Sequence, residues 1–438
     1  MDIWIVFAGE TLPMDDATRQ WRYGMLAETL IEREHKVIRW APTFNHSDKK
    51  QRYNTDHTYK VNENYKIELL YNRGYKSNIG FQRLLSYIQL AHSFKRRIKK
   101  EKPPDIIISG LPTPWLCSVA IIYGQQKNIP ALIDIRDLWP DIFLEVFPWK
   151  LQWLAELVML PLFKKNYYIF QNASGITAIS SNYLKWGLAY SGRNKRNTDG
   201  VFYMGYPKKN LSDSEKKKSG KRWTEIGVRK DTFLCCFFGS INNQFDLDAI
   251  ISAAKILEAS AGKDIQFVVC GDGVKLNYYK EMAIGMKNII FPGWVSQSDI
   301  RTLIEWSMLG FAPYQISHHI SDKFHIVSYP LSTIGDKSTL SNKIFEYFCG
   351  GLPVITSLHG ELEQILSEND CGLTYEAGDV QGLVNAILNL KDNPGKRVQM
   401  GKNARRLFEK KYSSDKIYPA MADHIEGIVN RGNSKRAG

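Results

Sequence analysis

Short apolar runs alternate with amphipathic stretches along this chain. Residues 3–8 form an apolar run that predicts a buried strand, and apolar residues at positions 21, 25, 26 and 30 recur at helical spacing. Residues 36–41 predict a second strand, so the first 40 residues should form a β-α-β unit. We expect Asp15 or Asp16 to cap the helix of this unit.

The same alternation continues through the first half of the chain. A helix is predicted over 79–100, and strands are predicted at 105–109, 130–137 and 174–180. These strands are apolar almost throughout, which is typical of a parallel sheet covered on both faces. Residues 45–66 are polar, and we expect them to form a connection without regular structure.

The pattern restarts after residues 208–221, a stretch rich in Lys, Ser, Asn and Gly that predicts an exposed linker loop. Strands at 233–238, 265–270, 288–293, 308–313 and 353–356 then alternate with helices. A chain of 438 residues favours two domains. We expect one Rossmann-like domain over 1–206 and a second over 207–412. Residues 413–438 should form a helix that packs back on the first domain, with a short tail.

The net charge of +13 is unevenly distributed, because residues 1–200 hold 28 Lys and Arg against 19 Asp and Glu. A basic half fits either a polyanionic partner or a solvated basic surface. The basic runs belong to no recognised nucleic-acid-binding module, so we expect no nucleic-acid partner.

No run reaches the ~18–20 apolar residues that a membrane-spanning helix needs. The amino-terminal residues carry an acid where a signal peptide would carry bases, and the six cysteines form no C-x-x-C pair. These features predict a cytoplasmic protein. Residues 139–170 combine aromatic side chains with Lys150, Lys164 and Lys165. They fit either a helix on the anionic cytoplasmic face of the inner membrane or a helix buried against the first sheet.

Candidate chemistry lies after the strands of the second half, because open parallel sheets bind ligands at the carboxyl ends of their strands. Gly239 and Ser240 follow one predicted strand, and Gly271-Asp272-Gly273 follows the next. Glycines at such places let backbone amides approach a phosphate. Both segments also fit plain turns.

The strongest signal is the segment 341–355. Lys343 falls in the first turn of a predicted helix, and Glu346 lies three residues on, so the two share a face. An ammonium beside a helix amino terminus suits a diphosphate. A carboxylate one turn deeper can accept hydrogen bonds from both hydroxyls of a ribose. The pair therefore fits a nucleoside diphosphate, or else an ordinary surface Lys–Glu pair.

Several segments together resemble one protein family. They are residues 22–30 with 34–37, the Asp-Ile-Arg-Asp-Leu-Trp-Pro run at 134–140, residues 293–295, residues 342–355 and residues 360–363. The chain resembles retaining glycosyltransferases of family 4, most of all the branch that builds bacterial surface polysaccharides such as O-antigen and capsule. The resemblance spans roughly residues 1 to 412.

The resemblance implies an α/β GT-B fold, in which two Rossmann-like domains with parallel sheets face each other across a cleft. It also implies a hexosyltransferase-type enzyme that retains configuration. The donor would be a nucleoside-diphosphate sugar, expected to be UDP-linked, and the acceptor a lipid-linked saccharide. No metal ion and no other cofactor is implied.

The resemblance assigns roles to individual residues. The catalytic set is Asp137, Lys343 and Glu346. In it Glu346 holds the donor ribose and Lys343 faces the diphosphate. Asp137 acts as a base or orients the acceptor, unless it only caps the turn after its strand. The donor-binding residues are Gly239, Ser240, Gly271, Gly293, Val295, Asn342, Gly360, Glu361 and Leu362, with the amides of Gly239 and Ser240 backing the phosphates. Gly9, Arg22 and Arg136 lie on the acceptor side.

The chain departs from the family pattern at two places. Ser338 stands where the family has the first glutamate of a Glu-x7-Glu pair. Ser240 and Phe245 stand near the positions of an arginine and a lysine, so charge stabilisation would fall on Lys343, with Arg136 a further candidate. These departures leave open a nucleotide-sugar epimerase of the same fold or a non-catalytic nucleotide-sugar- or glycan-binding homologue.

The long segment 314–340 could fold over the donor or the acceptor. It contains His318, His319 and His325. These histidines could bind a metal ion, or they could be ordinary loop residues.

Overall fold

The chain folds into two compact α/β units. The computed structural model describes residues 1–15, 21–77, 80–208, 210–260, 264–315 and 340–437. The first unit comprises Met1–Met204 with residues 417–437, and the second comprises residues 205–315 and 340–416.

The first unit is built on an eight-stranded sheet. In chain order its strands and an accompanying two-residue hairpin are β1 (Asp2–Val6), β2 (Lys36–Pro42), β3 (Phe44–Asn45), β4 (Lys50–Gln51), β5 (His57–Lys60), β6 (Tyr65–Leu70), β7 (Ile106–Gly110), β8 (Ala131–Ile135), β9 (Gly175–Ala178) and β10 (Gly200–Val201). The sheet order is β10-β9-β8-β7-β1-β2-β6-β5, while β3 pairs with β4 alone. All pairs of the large sheet are parallel except β5 with β6.

Helices follow β1, β6, β7, β8 and β9, as the alternating pattern predicted. They are α1 (Arg22–Glu32), α2 (Phe81–Arg97), α3 (Pro114–Lys127), α4 (Gln152–Asn172) and α5 (Ser181–Ser191). The strands β7, β8 and β9 are buried along their whole length. Their continuous apolar sequence follows from this burial, because a parallel sheet is covered on both faces.

The second unit has a six-stranded sheet in which every pair is parallel. Its strands are β11 (Phe233–Phe238), β12 (Ile265–Cys270), β13 (Ile289–Gly293), β14 (Leu309–Ala312), β15 (Val354–Thr356) and β16 (Gly372–Thr374), in the order β13-β12-β11-β14-β15-β16. Its helices are α6 (Asp213–Glu225), α7 (Leu247–Ser260), α8 (Leu276–Met282), α9 (Gln297–Trp306), α10 (Asn342–Gly350), α11 (Glu361–Glu368), α12 (Val380–Asp392) and α13 (Pro394–Leu407).

The last helix, α14 (Ser414–Ala437), begins in the second unit and continues in the first. Within the first unit, Arg33 donates to Asp423 at 2.6 Å and to Glu426 at 3.1 Å. These ion pairs hold the helix against the end of α1.

Each sheet has a point where the strand order reverses direction. β1 lies between β2 and β7, and β11 lies between β12 and β14. Ligands of open parallel sheets bind beyond the carboxyl ends of the strands at such points. Gly9 follows β1, and Gly239 directly follows β11. The two parallel sheets with their helices confirm the predicted α/β fold class. The loops after β1 and β11 are therefore the candidate ligand-binding loops.

Asp15 does not cap α1. Its carboxylate accepts hydrogen bonds from the Leu12 amide at 2.8 Å and from Arg52 at 2.6 Å. The helix begins only at Arg22, and no side chain caps it at Trp21. The alternative cap, Asp16, lies outside the described residues. The prediction for Asp15 was wrong because a tertiary ion pair, invisible to local spacing, competes for the carboxylate.

Two polar segments contain more regular structure than their composition predicts. Residues 45–66 include β4, β5 and most of the β3–β4 hairpin, so the expected irregular connection was wrong. The predicted linker loop at 208–221 forms most of α6, where Ser212 and Glu215 make a capping box. Trp223 is fully buried and anchors that helix.

Among the described residues, no helix has both the length and the apolar content needed to cross a membrane.

Candidate functional site

Lys343 is the central feature of the loop region above the second sheet. It lies in the first turn of α10, and its side chain is buried, with only 5% of the residue exposed. Its ammonium nitrogen has no hydrogen-bond partner among the described residues. The nitrogen lies 3.9 Å from the ring centroid of Phe237 and 3.4 Å from that of Phe245. The cation is thus held between two aromatic faces.

Burial lowers the pKa of Lys343 well below its ordinary value, and the nearby charge of Glu346 opposes that shift only in part. Aromatic faces attract a cation but accept no conventional hydrogen bond, so the ammonium remains poorly solvated. A bound anion would supply the missing acceptors. An ammonium arranged in this way is suited to bind a phosphate group.

Two glycine loops pack beside this ammonium. The φ angle of Gly239 is 155°, and a Cβ there would lie 2.9 Å from the Nζ of Lys343. At Gly271, with φ of 141°, a Cβ would lie 1.9 Å from the carbonyl oxygen of Gly239. Both positions therefore require glycine, and the two backbones approach each other at the carboxyl ends of β11 and β12.

The predicted role of the Gly239 amide was wrong. Its N–H already donates to the carbonyl of Cys270 at 3.1 Å, so it is not directed at a ligand. The Gly271 amide likewise donates to the carbonyl of Gly293 at 2.8 Å. These bonds connect the loops of Gly239, Gly271 and Gly293, which we call the glycine layer. Ser240, which follows Gly239, is exposed, and Val295 is buried.

The amino terminus of α10 adds partial positive charge beside Lys343. Ser341 precedes the helix, but its side chain caps no amide. Its hydroxyl instead accepts a hydrogen bond from Tyr314 at 2.7 Å. Asn342, the first helical residue, is half-buried. A helix start that lacks a side-chain cap is well suited to an anion.

Glu346 lies one turn deeper and is 4% exposed. Burial and then the charge of Glu346 raise the pKa of Tyr206. The Tyr206 hydroxyl accepts from the Nε of Arg301 at 3.1 Å.

Sequence reasoning missed Tyr206 and Arg301, because neither belongs to a local motif. It noted Phe245 only as a departure from the family pattern, and the ring contact with Lys343 emerges from the fold.

Gly360, Glu361 and Leu362 lie at the start of α11, after β15. Gly360 has a φ of 81°, and its amide donates to the carboxylate of Glu363 at 3.4 Å. Glu361 is half-buried and Leu362 is fully buried, so Leu362 serves the core of the unit. This helix start belongs to the same sheet edge as Lys343, since β15 pairs in parallel with β14.

In the first unit, Arg22 is not available to an acceptor. It is fully buried and forms a two-pronged ion pair with Asp134, with both distances 2.8 Å. Its remaining nitrogen donates to the carbonyls of Phe202 at 2.7 Å and Tyr203 at 3.2 Å. The predicted acceptor-side contact was wrong, because all three guanidinium nitrogens of Arg22 donate hydrogen bonds within the first unit.

Arg136 and Gly9 lie together near the carboxyl end of β1. Arg136 forms an ion pair with Glu10, and its guanidinium lies 4.7 Å from the ring centroid of Phe7. Glu10 also accepts from the Nη2 of Arg39 at 2.8 Å. Gly9 is exposed beside this group. Arg136 remains 15% exposed, so it keeps a surface that a ligand can reach.

Asp137 follows β8 and is half-buried. Burial raises its pKa, although the Leu138 amide and the charges of Arg83 and Arg136 act in the opposite direction. A carboxyl group with a raised pKa in a loop after a parallel strand is a candidate for proton transfer.

Asp246 and Asp248 have the Asp-x-Asp spacing, but both have partners inside the protein. Asp246 accepts from the amide of Ala249 at 3.1 Å, and Asp248 accepts from Tyr278 and Tyr279 at 3.2 Å. Among the residues that the structure describes, no three His, Cys, Asp or Glu side chains are grouped to hold a metal ion. His318, His319, His325 and Ser338 lie outside those residues.

Comparison with known proteins agrees with this geometry. Residues 222–407 match the family described as glycosyl transferases group 1. The described residues of this match all lie in the second unit. The matched segment includes the glycine layer, Lys343 and Glu346.

Two curated relatives match a similar length of chain. A 2-deoxystreptamine N-acetyl-D-glucosaminyltransferase of Niallia circulans is 22% identical over 186 residues, and the amylovoran biosynthesis glycosyltransferase AmsK of Erwinia amylovora is 24% identical over 185 residues. In both cases the match covers 42% of this chain and 42% of the relative, so the chain spans about two fifths of their length.

The likeness to solved structures extends over the whole fold. Anabaena Alr3699/HepE, solved in complex with UDP, superposes with a TM-score of 0.63 at 15% identity, covering 98% of this chain and 100% of that one. At this identity the likeness concerns the fold alone. Together with the two parallel sheets, it establishes the GT-B fold.

Proposed function

We propose that this protein is a glycosyltransferase that transfers a hexose from a UDP-linked sugar to a lipid-linked saccharide during bacterial surface-polysaccharide synthesis. Retention of configuration is proposed from the family resemblance. The single observation that carries the proposal is the buried ammonium of Lys343 beside the glycine layer, at the amino terminus of α10.

Lys343 suits the chemistry of the leaving group. Breaking the bond between the anomeric carbon and the diphosphate places negative charge on the phosphate oxygens. A cation held in a pocket that largely excludes water stabilises that charge more strongly than the same cation in solution. Because Lys343 and the start of α10 provide positive charge together, we propose that the donor diphosphate binds there without a metal ion.

Glu346 has the depth and chemistry for the ribose. It lies one helical turn beyond Lys343 and is buried, so its carboxylate can accept hydrogen bonds from a diol away from bulk water. We assign Asn342, Gly360 and Glu361 to the surroundings of the diphosphate and the donor sugar. Asp137, in the first unit, would take a proton from the acceptor hydroxyl or orient it.

A membrane surface is the proposed place of action, because α4 exposes apolar side chains. Trp153, Leu154, Leu157 and Val158 are 47%, 46%, 53% and 74% exposed. Lys164 and Lys165 continue the same helical face one to two turns later. Apolar residues with adjoining lysines are suited to the interface of an anionic bilayer.

The test is a panel of nucleotide sugars, each incubated with and without a lipid-diphosphate sugar acceptor. We expect release of UDP only when the acceptor is present. Glu346→Ala should weaken donor binding, while Asp137→Asn should lower kcat and leave UDP affinity unchanged. Isomerisation of the donor without any acceptor would identify an epimerase, and binding without turnover would identify a non-catalytic homologue.

A further inference from the structure

A second group of cations lies in the first unit, away from the predicted motifs. The β3–β4 hairpin places His46 and Lys49 just beyond the carboxyl end of β2, and Arg83 reaches the same place from the first turn of α2. Lys49 has a φ of 56°, a conformation that few residues other than glycine adopt. The turn holds the backbone of Lys49 in this conformation next to His46.

Direct contacts join these groups around Tyr75. The Tyr75 hydroxyl and Nδ1 of His46 are hydrogen-bonded at 2.7 Å, and the Nζ of Lys49 lies 3.3 Å from the same nitrogen. Lys49 and Arg83 lie 4.9 Å and 5.9 Å from the centroid of the Tyr75 ring. Arg83 also lies 5.2 Å from the centroid of Tyr87. We call these five residues the Tyr75 cluster.

The cations of the Tyr75 cluster repel one another. Burial, then Lys49 and Arg83, lower the pKa of His46 to about 4, so this histidine is neutral near pH 7. Burial and Arg83 also lower the pKa of Lys49. The nearby carboxylate of Asp48 accepts a hydrogen bond from Asn45 at 2.8 Å. Convergence of like charges is unfavourable, and an anion between them would relieve it.

The Tyr75 cluster is continuous with the surroundings of Asp137. The ring of Tyr87 lies 6.2 Å from that of Trp139, which follows Asp137 by two residues. The charge of Arg83 also opposes the rise that burial causes in the pKa of Asp137. An anion at this cluster would therefore lie beside the residue that we assign to the acceptor hydroxyl.

We propose that Lys49 and Arg83 bind an anionic group of the acceptor, a phosphate or a carboxylate close to the hydroxyl that receives the sugar. The inference rests on the proposed function, since it names the acceptor class of that reaction. His46 and Tyr75 position Lys49. Tyr87 and Trp139 are buried. They pack against each other behind Arg83 and support its position.

The experiment measures binding and turnover separately in the full-length protein. The probes are an alkyl-diphosphate-linked sugar, the corresponding alkyl uronide and the neutral alkyl glycoside, each titrated calorimetrically without donor. The variants are Lys49→Asn, since asparagine tolerates positive φ, and Arg83→Gln. The matched control is Lys50→Asn, which removes the same charge at the next, exposed position.

We expect each variant to weaken binding of the anionic probes by about tenfold or more, as the loss of a charged hydrogen bond does. Lys50→Asn and the neutral glycoside should show no such change. Preference for the diphosphate or the uronide identifies the source of the charge. Equal affinity of wild type for charged and neutral probes overturns the inference, as do variants with wild-type affinity. Probe binding without sugar transfer would uphold it and refute the transferase instead.

Discussion

The ammonium nitrogen of Lys343 lies 2.9 Å from the point that the Cβ of any residue replacing Gly239 would occupy. The two positions are more than 100 residues apart in the chain. A side chain at position 239 would therefore collide with the Lys343 ammonium unless the ammonium moved. The loop after β11 therefore limits the space around Lys343, although its glycine amide is already paired within the protein.

Replacing Lys343 by methionine should stabilise the protein while removing donor binding. The buried ammonium has no hydrogen-bond partner among the described residues, so an apolar side chain of similar length should raise the free energy of unfolding by about 0.5–2 kcal/mol. Thermal melts with and without UDP measure both effects. Wild type should gain Tm with UDP, and the variant should not. Lys255→Met, at an exposed position, is the control, and a UDP-induced shift in K343M would contradict the assignment.

Gly239→Ala should lower UDP affinity. The new methyl group would displace the Lys343 ammonium, and alanine is strained at a φ of 155° by about 1–3 kcal/mol. Gly285→Ala separates the two effects, because Gly285 also has a positive φ but open space around it. Both variants should melt earlier, and only G239A should show weaker UDP binding by calorimetry. Equal UDP affinity in the two would refute the steric argument.

UDP affinity should fall as the pH rises. Burial lowers the pKa of Lys343 in the free protein, and a bound diphosphate would raise it by stabilising the charged form. Between these two pKa values, binding takes up a proton, so Kd increases with pH in that window. Calorimetry in buffers of different ionisation enthalpy measures the uptake. Proton release by wild type would run against the proposal.

The same shift affects stability. Since the folded pKa of Lys343 lies below the unfolded value, the unfolded chain binds more protons between the two. The cost of burying Lys343 therefore decreases as the pH rises through that range. Wild type and K343M should differ least in Tm at the alkaline end. A gap that widens with pH would contradict this sign.

Arg22→Leu should destabilise the first unit, because it leaves the carboxylate of Asp134 buried without its ion pair. Removing one partner of such a pair costs about 3–5 kcal/mol. Arg22→Leu combined with Asp134→Leu should recover part of the loss in urea unfolding. If R22L instead kept wild-type stability and raised only the acceptor KM, Arg22 would be a ligand after all.

Val158→Glu should reduce sedimentation with vesicles containing anionic lipid. Val158 is the most exposed apolar residue of α4, at 74%, and a carboxylate there opposes both insertion and charge attraction. Val398→Glu, on an exposed face of α13, is the matched control. Equal sedimentation of wild type, V158E and V398E would assign the exposed face of α4 to something other than a membrane.

The alternation of apolar runs and helical spacing was enough to predict both parallel sheets and to place Lys343 and Glu346 on one face of α10. Such patterns report local geometry, since strands repeat every two residues and helices every 3.6. The same information determined that the residues after β11 and β12 belong to one sheet edge.

Only the tertiary structure decided which groups meet. Arg22 pairs with Asp134, 112 residues away, and Phe237 and Phe245 enclose the Lys343 ammonium. Residues 57–60 form a strand because β6 offers a paired edge, although their own composition is polar. Contacts between distant segments depend on how the elements pack, and a periodic pattern carries no information about which partner a side chain will find.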